Sequence, residues 1–517
     1  MQPIAEKRSH PRGLYVLFAT EMWERFNYYG MRAILIYFMT QALLFDTKFA
    51  SNLMGSYLSL LYLTPLIGGY IADRYWGNKR SILAGGLLMA AGELLLFICA
   101  TIYHTNTDIS IFLFFSGLGF MAAGNGFFKP NISSLVGQLY PKGDNRIDPA
   151  YTIFYMGINI GAAIGPLLCG WVGNTGDPAD FKWAFLVAGV GMLVSVLIQK
   201  LYHDKYVKDP DGNILGLTPG GTVITHDDGS TTTIPQNHPA WIKPVNIIIG
   251  LLFIAAIFIA LMYYDSKYNF LSYILIAATA LIAFTIFSDK TLTIQEKKRI
   301  VVLFIIAFFV VFFWGAYEQT GISLSFFANE KTNLNIAGDY HMPPSWFQSF
   351  NSIFIVIFAP LFALFWIWLG KRQPSTSAKM GIGLILLALG FWWIAYGVSK
   401  ADSGVKVSMI WLTGMYMLHT WGELCLSPIG LSLFNKLAPH KFASLLMAVW
   451  FLGNAGGNKL AGILGSLYPG EGADFKPTSF LGYQITSLYD FFMLFVVMAG
   501  LAGIILLIIS RRLQKLI

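Results

Sequence analysis

Long apolar stretches alternate with short polar ones along almost the whole chain. A stretch of about 20 apolar residues is long enough to cross a bilayer as a helix, because an α-helix rises about 1.5 Å per residue. On this basis the sequence predicts fourteen membrane-spanning helices. The predicted spans are Leu14–Leu44, Ser51–Tyr75, Ser81–Thr101, Ile109–Leu139, Ala150–Asn174, Trp183–Tyr202, Val245–Tyr264, Leu271–Phe287, Ile300–Asn329, Pro344–Leu369, Met380–Ser399, Ser408–Leu437, Phe442–Tyr468 and Gln484–Ile509.

Polar segments divide these spans into three groups. Six spans lie in residues 14–202, two shorter ones in 244–289 and six more in 300–509, with polar segments at 203–243 and 290–299 between them. Two six-helix bundles joined by a cytoplasmic linker form the layout of a major facilitator transporter, which binds substrate between the bundles near the bilayer midplane. We therefore predict an all-α polytopic membrane protein with the major facilitator fold and two extra helices between the bundles.

Composition agrees with a membrane protein. Hydrophobic residues make up 56% of the chain and charged residues 12%, whereas soluble domains carry about 25% charged residues. Lys and Arg are concentrated in alternate loops and in the tails 1–13 and 510–517. The positive-inside rule therefore predicts that both termini are cytoplasmic. Because residues 1–13 lack the apolar core of a cleaved signal peptide, we expect a retained cytoplasmic tail. We further expect a multi-pass protein of the plasma (inner) membrane that functions as a monomer.

The linker 203–243 contains a candidate β-hairpin. Thr222–Thr225 and Thr231–Ile234 flank the turn-forming sequence Asp227-Asp228-Gly229-Ser230, and Asp-Gly favours a tight hairpin turn. A disordered linker is the open alternative, and neither form suggests a role. The three cysteines lie in apolar runs and are expected to be buried packing residues without a disulfide: Cys99, Cys169 and Cys425.

The first span carries charges that a lipid-facing helix does not tolerate. Glu21, Glu24, Arg25 and Arg32 lie within an otherwise apolar run. A charged side chain at the bilayer centre costs roughly 2.5–3.5 kcal/mol. At about 100° per residue these side chains share one face with Tyr29, with Glu24 on its flank, and Glu21 can pair with Arg25 at i,i+4. We predict that this polar stripe faces a hydrated cavity.

Other spans carry polar groups that suit such a cavity. In the fourth span Lys129 precedes Pro130, which frees backbone groups and favours a cavity-lining bend. The remaining candidates are Tyr70, Tyr155 and Asn159 in the first bundle and Trp314, Glu318, Asn351, Glu423, Ser427 and Trp450 in the second. Single Trp and Tyr residues in spans are more often packing residues, and Asn351 can equally bridge two helices.

The charges divide by bundle. The cations Arg25, Arg32 and Lys129 belong to the first bundle, and the carboxylates Glu318 and Glu423 to the second. A zwitterion such as a short peptide fits across such a cavity, with its carboxylate toward Arg32 and Lys129 and its ammonium toward Glu423 and the amides of Asn159 and Asn351. Counting Glu93 with Glu21 and Glu24 would make the buried charge of the first bundle neutral. The roles of Glu93, His419 and Lys459 stay open.

The segment between the second and third spans, Gly69-Tyr-Ile-Ala-Asp73-Arg74-Tyr-Trp-Gly77-Asn-Lys79-Arg80, resembles the loop motif of the major facilitator superfamily. Asp73 and the neighbouring cations are expected to latch helix ends at the inner face and to release them on opening. A plain positive-inside anchor is the alternative.

The sequence contains none of the usual motifs of an enzyme or an ATP-driven pump. It has no Gly-x-x-x-x-Gly-Lys-Ser/Thr phosphate loop, no sulfur-and-imidazole metal-ligand cluster and no Gly-x-Ser-x-Gly nucleophile context. We expect a transporter that is not an enzyme, uses no cofactor or metal, binds no nucleic acid and is driven by an ion gradient.

Three motifs closely resemble the proton-dependent oligopeptide transporter (POT) family. They are Glu21-x-x-Glu24-Arg25-Phe26-x-Tyr28-Tyr29-Gly30, Phe127-Phe128-Lys129-Pro130-Asn131-Ile132 and Phe154-Tyr155-x-x-Ile158-Asn159-x-Gly161. The resemblance runs across nearly the whole chain, and the two extra helices are similar to those of bacterial members. One departure is the second span, which has no histidine where animal relatives carry one, so proton relay through that imidazole is not carried over.

The resemblance implies proton-coupled import of di- and tripeptides by alternating access. Together with the pattern above, it gives proton-coupling roles to Glu21, Glu24, Arg25, Lys129 and Glu318. Substrate-binding roles fall to Tyr29, Arg32, Tyr70, Lys129, Tyr155, Asn159, Trp314, Glu318, Asn351, Glu423, Ser427 and Trp450. Two alternatives stay open: a relative that carries another solute such as nitrate, as plant relatives do, and a membrane receptor or scaffold that transports nothing.

Overall fold

The computed structural model describes residues 9–141, 143–218, 222–225, 231–234, 244–337, 340–400, 405–470 and 477–516. Within them the protein is built almost entirely of α-helices, as predicted. The helices are α1 (Arg12–Tyr37), α2 (Thr47–Ile71), α3 (Asn78–Ile102), α4 (Thr107–Gln138), α5 (Ile147–Gly173), α6 (Phe181–Tyr206), α7 (Pro244–Tyr268), α8 (Phe270–Phe287), α9 (Ile294–Tyr317), α10 (Ser323–Glu330), α11 (Phe347–Leu369), α12 (Thr376–Ser399), α13 (Met409–Leu437), α14 (Ala443–Gly465) and α15 (Leu488–Leu516).

Side-chain hydrogen bonds cap the N-termini of several helices. The side chain of Asp46 accepts a hydrogen bond from the Phe49 backbone N–H at 2.8 Å ahead of α2. Asn106 does the same for Ile109 ahead of α4. Thr293 and Glu296 form a reciprocal capping box at the start of α9. Such caps satisfy the N–H groups that a helix leaves unpaired in its first turn.

The predicted span Ile300–Asn329 is not one helix. A 3₁₀ turn at Glu318–Gly321 separates α9 from α10, and Ile322 leaves the helical backbone region. The carbonyl of Thr320 accepts hydrogen bonds from Tyr416 Oη at 3.3 Å and from Ser325 Oγ at 3.1 Å. These hydroxyls satisfy a backbone group that the interruption frees, which is the condition for a broken helix at membrane depth.

Nine helical stretches among the described residues are long and apolar enough to cross a membrane. The charged helix α1 is not one of them. Helix α1 contains five charged residues, four of them within Glu21–Arg32, and charged side chains disfavour insertion into the bilayer core. The longer list of fourteen spans therefore stays a prediction for the chain as a whole.

The helices pack as two bundles. Helices α1–α6 contact one another extensively, and so do α9–α15. The first bundle meets the second mainly where α2 packs on α14 and α5 packs on α11. Helix α7 packs on α2 and α4, whereas α8 touches α14, so the inserted pair lies against both bundles.

The bundles are joined at one end of the molecule. Tyr37 Oη donates to the Ser325 carbonyl at 3.0 Å, and Ser349 Oγ donates to the Ala163 carbonyl at 2.7 Å. A Cβ placed on Gly55 would stand 2.6 Å from the Cα of Gly462. These contacts involve the end of α1, the start of α2 and the start of α11, so they lie away from the end where α1 begins and α15 terminates.

Short strands lie in the connections. The strands β1 (Thr222–Thr225) and β2 (Thr231–Ile234) pair antiparallel in the predicted hairpin register, whereas its turn residues 226–230 lie outside the described residues. Beyond the linker, β3 (Thr332–Asn333) pairs with β6 (Val407–Ser408), β4 (Asn335–Ala337) with β5 (Tyr340–His341), and β7 (Thr478–Phe480) with β8 (Tyr483–Ile485). Cys99, Cys169 and Cys425 are buried and unpaired, as predicted.

Candidate functional site

The charged stripe of α1 turns inward. Glu21, Glu24 and Arg25 are at most 3% exposed. Arg25 Nε lies 2.8 Å from Glu21 Oε1 and 2.7 Å from Glu24 Oε2, so one guanidinium is shared by two carboxylates. Helix α5 approaches very closely here, because a Cβ on Gly161 would stand 2.1 Å from the Met22 carbonyl. The cluster is therefore held inside the first bundle, away from lipid.

Arg32 lies further along the same helix and pairs across the bundle interface. Its Nη2 contacts Glu318 Oε2 in a buried ion pair. Glu318 opens the 3₁₀ turn after α9, so the break in the helix presents this carboxylate to the first bundle. A buried pair of this kind is sensitive to the loss of either partner, because the remaining charge is left without compensation.

Glu423 of α13 is held by neutral donors. Tyr317 Oη donates to Glu423 Oε2 at 2.6 Å, and Asn351 Nδ2 donates to the same oxygen at 2.9 Å. The Asn351 amide also reaches Thr420 Oγ1 at 3.2 Å, which fixes its orientation. No cation of the described residues lies within ion-pair distance of Glu423. The carboxyl group is thus oriented by neutral donors alone.

Lys129 occupies the opposite wall. Its Nζ stands 5.3 Å from the ring centre of Tyr62, a cation–π arrangement, and it forms no ion pair among the described residues. Helix α4 runs unbroken through Pro130. The side chain of Asn131, next to the proline, donates to the Phe127 carbonyl of the preceding turn at 2.7 Å. Lys129 is not in ion-pair contact with Glu21 or Glu24, which both pair with Arg25.

Five of these charged groups line one cavity between the bundles, which encloses about 110 Å³ of free space, whereas Glu21 and Glu24 do not line it. Eight of the predicted site residues line it: Arg25, Tyr29, Arg32, Lys129, Trp314, Glu318, Asn351 and Glu423. Its other walls come from Tyr28, Leu61, Tyr62, Asn125, Tyr317, Thr320, Gln348, Tyr416 and Asn458. Among the lining residues, Arg25, Arg32 and Lys129 come from the first bundle and Glu318 and Glu423 from the second.

Five predicted substrate-binding residues do not line this cavity. Trp450 packs on Phe434, with ring centres 5.2 Å apart, and Asn159 donates its amide to the carbonyl of Tyr155 at 2.9 Å. Tyr155 is 45% exposed and Tyr70 59% exposed. Ser427, the fifth, has a buried hydroxyl without a partner in the described structure. In this conformation these five residues therefore lie outside the lining of the central cavity.

Sequence reasoning missed several aromatic and amide residues of the wall. Tyr317 is the clearest case, because it directly holds Glu423. Its position one residue before Glu318 was a usable signal, since the break between α9 and α10 turns both side chains inward. Glu93, whose role was left open, accepts a hydrogen bond from Asn27 at 2.8 Å inside the first bundle and does not line the cavity.

The loop motif lies at the other end of α2. Asp73 and Arg74 fall in a π-helical turn, Ala72–Trp76, and both are exposed. Lys79 Nζ lies 2.6 Å from Asp204 Oδ1 at the end of α6, and the Lys79 backbone N–H donates to Gly216 of the linker. Gly77 has φ +74° and its Cα faces the Leu217 carbonyl, leaving no room for a side chain. The motif, whose first and last residues are Gly69 and Arg80, is thus held to the first bundle and to the linker.

Apolar helices around a cavity with opposed charges define a membrane transporter and not an enzyme. The model of the POT family matches residues 79–471. A peptide transporter of Yersinia enterocolitica, YePEPT, is 34% identical, covering 98% of this chain and 96% of that protein. A di-/tripeptide transporter of Lactococcus lactis subsp. cremoris is 31% identical with the same coverage.

Solved structures give the same result. A POT family transporter crystallised with a thioalcohol-conjugated peptide superimposes with a TM-score of 0.80 at 30% identity, covering 98% of this chain and 97% of the other. The chain belongs to the POT family. The predicted family resemblance is thereby confirmed.

Proposed function

We propose that this protein imports di- and tripeptides together with protons by alternating access, and that all fourteen long helices cross the membrane in a major facilitator fold. Several relatives are named as peptide or di-/tripeptide transporters, which supports the substrate class. The observation that carries the proposal is the central cavity, in which Lys129 and Glu423 stand on opposite walls without ion-pair partners among the described residues.

This charge arrangement suits the termini of a peptide. Its carboxylate would lie toward Lys129 and Arg25, and its ammonium toward Glu423 and the Asn351 amide. Charge-assisted hydrogen bonds of this kind are about twice as strong as neutral ones. The side-chain walls contain Tyr29 and Trp314, which offer broad apolar contact with little directional demand. Such walls would accept peptides with different side chains.

Protonation of a carboxylate can change the position of two buried arginines, Arg25 and Arg32, because each is held by an ion pair. Arg25 is shared by Glu21 and Glu24, so protonation of one carboxylate would loosen that side chain beside the cavity. Arg32 joins α1 to Glu318 of the second bundle, so protonation of Glu318 would release the bundles from each other. A proton can bias the two states only as far as it binds them with different affinity.

The conformation supports a rocking motion of the bundles. Contacts between the bundles lie at the end away from both chain termini, through Tyr37, Ser349 and the Gly55–Gly462 approach. With cytoplasmic termini, this is a state closed to the outside. Transport then requires these contacts to part and a second set to form at the other end, where the loop motif Gly69–Arg80 lies.

The direct test is uptake into proteoliposomes. With the interior alkaline relative to the outside, labelled dialanine should accumulate, and unlabelled dipeptides should compete, whereas free alanine and nitrate should not. Glu423 would repel an anion, which disfavours the alternative of a nitrate transporter. Inhibition by nitrate but not by dipeptides would support that alternative, and the absence of any uptake would support a receptor or scaffold.

A further inference from the structure

A second buried ion pair lies outside the cavity. Lys459 Nζ of α14 stands 2.5 Å from Asp265 Oδ2 at the end of α7. The same Oδ2 accepts a hydrogen bond from Ser56 Oγ of α2 at 2.5 Å, and Lys459 Nζ reaches that hydroxyl at 3.1 Å. All three side chains are almost completely inaccessible to solvent. One cluster therefore joins the first bundle, the inserted helices and the second bundle.

The cluster is built to hold Asp265 in one place. Its second oxygen, Oδ1, accepts a hydrogen bond from the Leu271 backbone N–H at 2.7 Å, which fixes the turn between α7 and α8. Asn269 in that turn adopts a left-handed backbone, with φ +54°. Both carboxylate oxygens are thus occupied, and the only formal cation among their partners comes from α14.

Helix α7, which carries Asp265, packs firmly on the first bundle. Helix α7 packs closely on α4, because a Cβ on Gly119 would stand 2.5 Å from Ile259 of α7. In contrast, a groove of about 590 Å³ lies between α8 on one side and α9 and α14 on the other. It is lined mostly by apolar residues such as Leu275, Phe308 and Leu460, and Lys459 also borders it. The inserted helices are therefore seated tightly on the first bundle and loosely on the second.

The cluster stands at the closed end. Ser56 follows Gly55 directly, and Lys459 lies one turn before Gly462, the two glycines at which α2 and α14 touch. Any motion that separates α2 from α14 there must draw Lys459 away from either Asp265 or Ser56. Breaking a buried pair leaves a charge without compensation unless water enters, so the closed arrangement is favoured.

We propose that the inserted helices act as a latch that keeps the two bundles together at the closed end. Asp265, on the side of the first bundle, and Lys459, in the second bundle, form the ion pair of this latch. The proposal rests on the proposed alternating-access function. It assigns the α7–α8 pair a role in setting the ratio of the two states. Neutralising the pair should raise the population that is open at this end.

The test is a distance measurement between spin labels on the closed end, at Lys48→Cys on α2 and Lys406→Cys ahead of α13, both exposed positions. The three native cysteines are buried, so the labels should be selective. In lipid nanodiscs, Asp265→Asn and the double variant Asp265→Asn/Lys459→Met should each at least double the fraction of long distances. Asp265→Asn alone leaves Lys459 as a buried charge without a partner, which can prevent folding. The double variant has no such charge, so it tests the proposal even if the single variant does not fold.

Asp289→Asn is the matched control. Asp289 pairs with Lys441 at the other end of the molecule, and the hydrogen bond from Lys441 lowers the pKa of Asp289 to about 2, so it is ionised throughout the assay. This variant should leave the distances unchanged. Distances in the folded double variant that match those of the parent would overturn the latch, as would failure of the double variant to fold, since the pair would then serve folding.

Dialanine uptake by the parent protein in liposomes is measured separately. Absent uptake would refute the proposed function, whereas normal uptake with unchanged distances would refute the latch alone.

Discussion

At the scale of single residues, the shared guanidinium of Arg25 is the most informative feature. Two carboxylates compete for it within one turn of α1, and Glu24 is completely buried. Buried charges of this kind are costly, and they are retained at membrane depth mainly where they move or bind ions. A neutral Glu24 would leave Arg25 with a single partner, Glu21, and would alter the charge that the cavity presents.

Replacing Glu24 by Gln should abolish uptake driven by a proton gradient while sparing counterflow exchange of labelled against unlabelled dialanine. Glutamine has nearly the same shape but cannot bind and release a proton, so only the coupling step is lost. Both activities are measured in the same liposomes, and exchange serves as the control for folding. Persistent accumulation against a gradient would show that Glu24 is not a coupling group.

The charged residues could be predicted from the sequence because a charge within an apolar run has few physical explanations. The aromatic residues could not be separated in the same way. Trp314 lines the cavity while Trp450 packs on Phe434, yet both are tryptophans in apolar helices. Burial and direction of an aromatic ring depend on neighbouring helices that the local sequence does not specify.

At the scale of elements, small residues determine how closely helices approach. Gly55 of α2 and Gly462 of α14 leave room for backbone contact at the closed end. At the other end of α2, Gly69 faces Pro130 at an ordinary distance, 3.7 Å from a Cβ position. Helix α2 thus contains one glycine, Gly55, where an added side chain would clash, and another, Gly69, where it would not.

Gly55→Ala should destabilise the protein by about 1–3 kcal/mol, the usual cost of overpacking, because the new methyl group meets backbone that cannot rotate away. Gly69→Ala should be close to neutral. Melting temperatures of both variants in the same detergent provide the comparison. Equal melting temperatures would mean that α2 and α14 separate easily, contrary to a tightly closed end.

The sequence predicted the helices well and their interruptions poorly. Hydrophobic runs identify membrane helices because lipid demands an unbroken apolar surface. The turn at Glu318–Gly321 is stabilised instead by Tyr416 and Ser325, whose positions depend on the tertiary fold. Similarly, the predicted span Val245–Tyr264 ended just before Asp265, so the ion pair with Lys459 could not be foreseen.

At the scale of the whole molecule, two bundles close on each other at one end and enclose a polarised cavity. The order of the helices was predictable from hydropathy, whereas the pairing of α2 with α14 and of α5 with α11 was not. Those contacts join segments hundreds of residues apart and depend on backbone approach at glycine. The predicted domain limits and the orientation of the termini stay predictions.

Orientation can be measured with two engineered cysteines. Lys406→Cys lies at the closed end and should react with a membrane-impermeant maleimide in intact cells. Lys441→Cys lies between α13 and α14 at the other end, and should react only after permeabilisation. Low background is expected from the buried native cysteines. The reverse labelling pattern would place the termini outside.

The central claim is that opposed charges of one cavity bind both termini of a peptide. The most direct test compares binding of dialanine, N-acetyl-dialanine and dialanine amide to the parent protein and to Glu423→Gln by calorimetry. A lost charged hydrogen bond costs about 1.5–3 kcal/mol, so N-acetylation should weaken binding to the parent protein about 10- to 150-fold. In Glu423→Gln, dialanine should bind weakly and N-acetylation should cost little more. An equally large loss on N-acetylation in both proteins would contradict the account.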